Sequence, residues 1–283
     1  MTNYITGEKL QECVDHTIVL KGQFYADEQL KHTNCKYTYF EKNQNINSLP
    51  NDILNAKSLF VYTHILDFFF SKIYPLLKNP FVLVTHNSDN DINEQYKLYL
   101  NDTKIIKWFA QNVNYNHEKL SSLPIGIANS QWPHGNLNIF ENIKNTKIEK
   151  TNLIYKNFEI STNIIHRNYV NAALSRNNIY MNTKKPYNQY LIDINQSFFN
   201  ICPKGNGIDT HRMWESLYLG CIPVVDDCIN NQNFKDLPIL IVSNWNDVTI
   251  DYLKDNILKY KNIQFNYEKL NLNYWKNRIQ KGE

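Results

Sequence analysis

Short, almost wholly apolar runs alternate along this chain with longer stretches of helical period, the pattern of parallel strands joined by helices. In the first half, residues 58–63 (SLFVYT), 81–85 (FVLVT), 105–110 and 123–127 read as buried strands. Residues 65–77 read as a helix that stops before Lys78-Asn79-Pro80. In the second half, strands are predicted at 152–155 (NLIY), 197–201, 221–225 and 239–242, with helices near 167–175, 187–195, 211–219, 250–260 and 267–280. Residues 128–150, with Pro133, Gly135, several Asn and a polar helical piece at 139–148, suit a domain boundary. The expected fold is α/β, with domains at 1–150 and 151–283 facing across a cleft, and with the loops 86–91 and 203–210 on its walls.

Composition narrows the function classes. With 283 residues and 42% hydrophobic side chains the chain can build sizeable cores, and 19 Tyr leave rings for a ligand. A net charge of +3, from 30 basic and 27 acidic residues, does not provide the basic face of a nucleic-acid binder. The five cysteines (Cys13, Cys35, Cys202, Cys221, Cys228) lack CxxC or zinc-like spacing and read as buried free thiols in a reducing compartment. No signal peptide is evident in residues 1–20, and the most apolar stretch, 59–77, is too polar to span a bilayer. A cytoplasmic protein with no membrane span is expected.

The segment richest in chemistry runs from Phe199 to Val225 as strand, glycine loop, helix, Gly220 stop and strand. Gly205 and Gly207 allow backbone shapes that bring amides near a ligand. Asp209 or Thr210 can cap the following helix, whose N-terminus is a natural seat for phosphate. Lys204, His211 and Arg212 add donors there, Arg212 with a planar fork suited to a diphosphate. Glu215 shares a helix face with His211 and Arg212 and could accept two ribose hydroxyls. On spacing alone, Arg212 and Glu215 fit a surface ion pair equally well, and the glycines a simple turn. Thr162, Asn163 and Arg167, after the strand at 152–155, form a second possible donor contact or a capped helix with a solvated Arg.

The ordered string Cys202-Pro203-Lys204-Gly205, Arg212 to Glu215 and Gly220-Cys221-Ile222-Pro223-Val224 resembles the C-terminal signature of exostosin-like glycosyltransferases. The likeness is tightest over about 27 residues, and the chain looks like the compact, soluble forms found in large DNA viruses and microbes. Cytoplasm of an infected host cell is then one expected location. The resemblance implies the GT-B fold of two Rossmann-like domains. It also implies Arg212 on the donor diphosphate, Glu215 on the ribose, and inverting transfer without a metal or other cofactor. A UDP-sugar such as UDP-xylose is the expected donor, and an oligosaccharide or glycoprotein glycan the acceptor.

Inversion needs a general base on the acceptor side. The loop after 81–85 offers Asp89 first and His86 second, with a loop-capping role as the alternative for either. Trp132 and His134 could line an acceptor pocket, and His64 could reach it, although packing roles fit all three. Asp89-Asn90-Asp91 has the bare Asp-x-Asp spacing of metal-bound donors but lies in the wrong half. An epimerase or hydrolase on the same fold, or a non-catalytic carbohydrate-binding protein, are the rival readings.

Overall fold

Strands β1 (His16–Leu20), β2 (Tyr37–Phe40), β3 (Ser58–Tyr62), β4 (Phe81–His86), β5 (Ile105–Ala110) and β6 (Leu120–Ser122) form one sheet in the order β2-β1-β3-β4-β5-β6. Every pairing in it is parallel. β1, β3 and β4 are buried along their whole length, as expected of strands covered on both faces. A second parallel sheet, ordered β10-β9-β8-β7, is built from β7 (Asn152–Tyr155), β8 (Ser197–Ile201), β9 (Ile222–Asp226) and β10 (Leu240–Val242). These elements belong to a computed structural model that describes residues 3–283.

The chain divides into two compact units, one reaching to Trp132 and regaining Asn271–Glu283, the other Pro133–Leu270. The division falls within residues 128–150, yet it differs from the expected 150/151 cut in two ways. The helix Leu137–Asn145 packs in the second unit, where Asn195 Nδ2 donates to the Ile143 carbonyl at 3.2 Å. The last helix, Leu272–Lys281, returns to the first unit with Trp275 and Ile279 buried. There the Arg278 guanidinium lies 5.5 Å from the Phe109 ring, and Leu272 N donates to Asn3 O at 3.1 Å.

Other departures have local causes. The helix expected at 65–77 is a succession of 3-10, α and π turns from Thr63 to Leu76. Pro75 has no N–H to give, and the phenylalanines turn inward, Phe70 stacking on Tyr99 at 3.6 Å. The strand expected at 123–127 is instead β6, three residues earlier. Residues 123–127 lead to Gly126, at φ 69°, and to a single parallel bridge between Thr6 and Ile127. Among the described residues, no helix is long and apolar enough to cross a membrane. Cys13, Cys202 and Cys221 are buried free thiols; Cys35 and Cys228 are only half-buried.

The second unit is built around Phe199, Ile201, Val224 and Val242 of the sheet, against Val170 and Leu174 of the helix Ile164–Arg176 and Leu253 of the helix Ile250–Tyr260. Parallel strands force a crossover between each pair, so the loops after β7, β8 and β9 emerge at one edge. In the first unit, Gly126→Ala is expected to cost about 1–3 kcal/mol, because its Cβ would sit 2.2 Å from the Ile5 carbonyl oxygen at a positive φ. Gly22→Ala, with nothing within 4 Å, is the control for backbone strain alone. Equal losses of Tm in the two variants would refute the packing argument.

Candidate active site

Arg167 organises the edge where β7, β8 and β9 end. It is 4% exposed, and its Nε, Nη1 and Nη2 donate to the carbonyls of Lys204 (2.9 Å), Glu159 (2.6 Å) and Pro203 (3.1 Å). Asn163, at the N-cap of the helix Ile164–Arg176, donates from Nδ2 to Gly205 O at 2.9 Å. Thr162 Oγ1 closes its own turn by donating to Glu159 O at 3.0 Å. The two segments expected to meet the donor, 157–167 and 203–210, are thus brought together. Arg167 is not the solvated side chain of the alternative reading, but neither does it project outward. It props the loop from beneath.

Asp226, at the end of β9, holds the other side of the loop. Its Oδ2 accepts from Lys204 N at 2.8 Å, while Oδ1 accepts from Trp245 Nε1 at 2.7 Å and lies 2.7 Å from His166 Nε2. Burial opposes the charge of Asp226, yet the closeness of the His166 ring and the bonds from Lys204 N–H and Trp245 outweigh it and leave its pKa below the ordinary carboxylate range. The pattern along the chain gave no sign of this anchor, because its partners come from three separate elements.

The glycines act differently from the expectation. Neither Gly205 nor Gly207 has a positive φ. Gly205 is required because a Cβ there would lie 2.9 Å from Arg167 Nη2, and its own N–H donates to Gly207 O at 3.0 Å. Capping is also corrected. Thr210 occupies the N-cap of the helix His211–Tyr218 without a side-chain hydrogen bond to it. The buried carboxylate of Asp209 accepts instead from Trp214 Nε1 (2.9 and 2.8 Å) and from Thr210 N (2.8 Å), which makes it part of the packing.

At this helix start Lys204 is exposed, and His211 and Arg212 are partly so. Arg212 Nε is buried without a hydrogen-bond partner, and among the described residues no carboxylate lies within ion-pair distance of Arg212 or Arg167. Burial first, and then the positive charge of Arg212, bring the Arg167 pKa down to about 10, so both arginines stay charged at neutral pH. Asp226 acts on Arg167 and Glu215 on Arg212 from beyond ion-pair distance, and the two neighbouring cations can still offer charged donors to a phosphate.

Glu215 is not the surface ion-pair partner of the alternative reading. It is 3% exposed, and its two oxygens accept from Tyr187 Oη (3.1 Å) and Tyr190 Oη (2.7 Å). Burial raises its pKa, while the tyrosine bonds and Arg212 pull the other way. Tyr187 and Tyr190, on the helix Tyr187–Asn195, were not anticipated; their spacing in a predicted helix was visible, but not the carboxylate they face. His134 is exposed, with its ring 6.4 Å from Tyr187 and 6.3 Å from His211.

In the first unit, Asp89 is exposed in the bend after β4, whereas His86 is 1% exposed. His86 Nε2 faces the Pro124 carbonyl at 2.9 Å and Nδ1 faces Asn87 Oδ1 at 3.0 Å, and burial lowers its pKa. A ring so committed positions its loop rather than meeting a substrate. Asp91 accepts from Asn93 (3.1 Å) and Asn114 (2.8 Å), so the Asp-x-Asp spacing serves the local turn. Trp132 is 38% exposed, 5.5 Å from the Tyr25 ring, and His64 is exposed beside Tyr62 at 5.8 Å.

The chain is glycosyltransferase-like, on the strength of a match between residues 153–275 and a family of known proteins. That family is the RXYLT1 C-terminal domain, a xylosyltransferase family, and the matched region holds the Arg167-propped loop, Arg212 and Glu215. No curated protein matches the chain.

The depressed pKa of Asp226 has a pH signature. A carboxylate whose folded pKa lies below its unfolded value, about 3.9, stabilises fully above that value and loses its contribution as pH falls through the folded pKa. Asp226→Asn should therefore lower Tm at pH 7, and the gap to wild type should close below about pH 4. Melting curves from pH 7 to pH 3 that keep a constant gap would count against the anchor.

Proposed function

We propose that this protein is an inverting, metal-independent glycosyltransferase of the exostosin-like GT-B type, transferring a sugar from a UDP-sugar, UDP-xylose foremost, to a glycan acceptor. The observation that carries the proposal is the partly exposed Arg212, whose Nε has no hydrogen-bond partner, at the start of the helix His211–Tyr218, beside a loop fixed by Arg167 and inside the RXYLT1-matched region. Two all-parallel sheets in separate units support the pair of Rossmann-like domains. In this reading Lys204, Arg212 and the amides of the loop and helix start hold the diphosphate, and Glu215 takes the ribose. Asp89, exposed after β4, is the proposed general base. Trp132 and His134 are proposed to meet the acceptor, since exposed rings stack on sugar faces. The cysteine usage supports a cytoplasmic setting.

The test is turnover of labelled UDP-xylose, UDP-galactose, UDP-glucuronic acid and UDP-N-acetylglucosamine with and without oligosaccharide acceptors. The expected result is an acceptor-dependent glycoside with inverted anomeric configuration. Donor consumption indifferent to every acceptor would instead assign a hydrolase or epimerase, and glycan binding without nucleotide binding a carbohydrate-binding protein. Arg212→Ala should weaken donor binding by about tenfold or more in calorimetric titration. Asp89→Asn should bind donor normally and slow transfer by about 10²–10⁴-fold; full activity would remove Asp89 as the base.

A further inference from the structure

Tyr187 and Tyr190 stand three residues apart on one helix, so both hydroxyls leave from the same face. Each takes one oxygen of the Glu215 carboxylate, at 3.1 and 2.7 Å. A ribose presents the same chemistry, two neighbouring hydroxyls donating to one carboxylate. Glu215 is 3% exposed, so a nucleotide reaches it only by displacing the groups that cover it.

We infer that the Tyr187 and Tyr190 hydroxyls, bonded to Glu215 here, occupy the positions that ribose hydroxyls would take on that carboxylate, so that donor binding exchanges tyrosine for ribose hydrogen bonds. This inference rests on the donor-site reading above. The tyrosine rings are suited to such an exchange: both are only partly buried, and they stack on each other with centroids 6.0 Å apart and planes at 23°. Their helix follows an exposed run, residues 182–186, and begins at Pro186 with no side-chain cap.

The energetics explain why such a pair is useful. A buried carboxylate stripped of donors loses more than a formed hydrogen bond contributes, so an empty site without the tyrosines would be destabilised. With them, the ribose replaces bonds that already exist, and its hydroxyls add little net affinity. A nucleoside diphosphate product is then held mainly by its phosphates, and the tyrosines can close behind it as it leaves. Tyr187 and Tyr190 are positioning residues in this scheme, and they set how far the site distinguishes ribose from deoxyribose.

The experiment is calorimetric titration of the full chain with UDP and with 2′-deoxy-UDP, for wild type, Tyr187→Phe, Tyr190→Phe, the double variant and Glu215→Gln. Removing the tyrosine hydroxyls should raise the preference for UDP over 2′-deoxy-UDP by about fivefold or more in the double variant, and in the same direction in each single variant. Glu215→Gln should bring the preference close to one. A structural role for the tyrosines would weaken both ligands alike and leave the ratio fixed. An unchanged or smaller ratio in all three Phe variants overturns the inference while leaving the donor reading intact. Failure of the wild-type chain to bind UDP at all overturns the donor reading, and the inference falls with it.

Discussion

The Arg167 guanidinium, sealed under the loop after β8, directs its three nitrogens to the carbonyls of residues 159, 203 and 204. Hydrogen bonds from a charged donor are the strong ones, and burial removes competing water. The same group forbids a side chain at Gly205 and ties two segments 36 to 37 residues apart into one surface. Its charge stays without a carboxylate partner, next to Arg212. Asp226 and Glu215 act on these two cations only from beyond ion-pair distance, so the donor reading proposed above has two charged groups available for a diphosphate.

Strands buried on both faces were legible because an apolar run bounded by polar residues needs only local pattern. β3, β4 and β8 fall where that pattern places them to within a residue. The helices Tyr187–Asn195 and Ile250–Tyr260 were legible for the corresponding reason. β1 and β2 precede the first strand the pattern marks; β2 lies at the sheet's edge and is largely exposed, so its tyrosines carry no clear run of buried residues. The last helix was found, but the unit it joins depends on contacts with Asn3 and Phe109, which periodicity does not encode.

The site shows the same division. Motif spacing located the loop and the helix start, and it offered 157–167 as a second possible contact or a capped helix. It could not say that Arg167 would turn inward, because three backbone carbonyls are invisible as residue types. Nor could it find Asp226, whose partners His166, Lys204 and Trp245 come from different elements. Tyrosines on a neighbouring helix likewise carry no local mark of the carboxylate they meet.

The string from 199 to 225 can be divided by what folding already asks of it. Gly220 is there for its positive φ, Cys202 and Cys221 fill the interior, and Asp209 answers the Trp214 indole. Asn200 and Ser216 bond each other at 2.8 Å in the core. Gly205 makes room for a guanidinium. After these duties are assigned, the side chains of Lys204 and Arg212 remain, both basic, one exposed and the other partly so. Arg212 acts electrostatically on the buried Glu215 carboxylate, favouring its charged form, while its own Nε has no hydrogen-bond partner. Under the function proposed above, these two basic side chains are the groups left to meet a diphosphate.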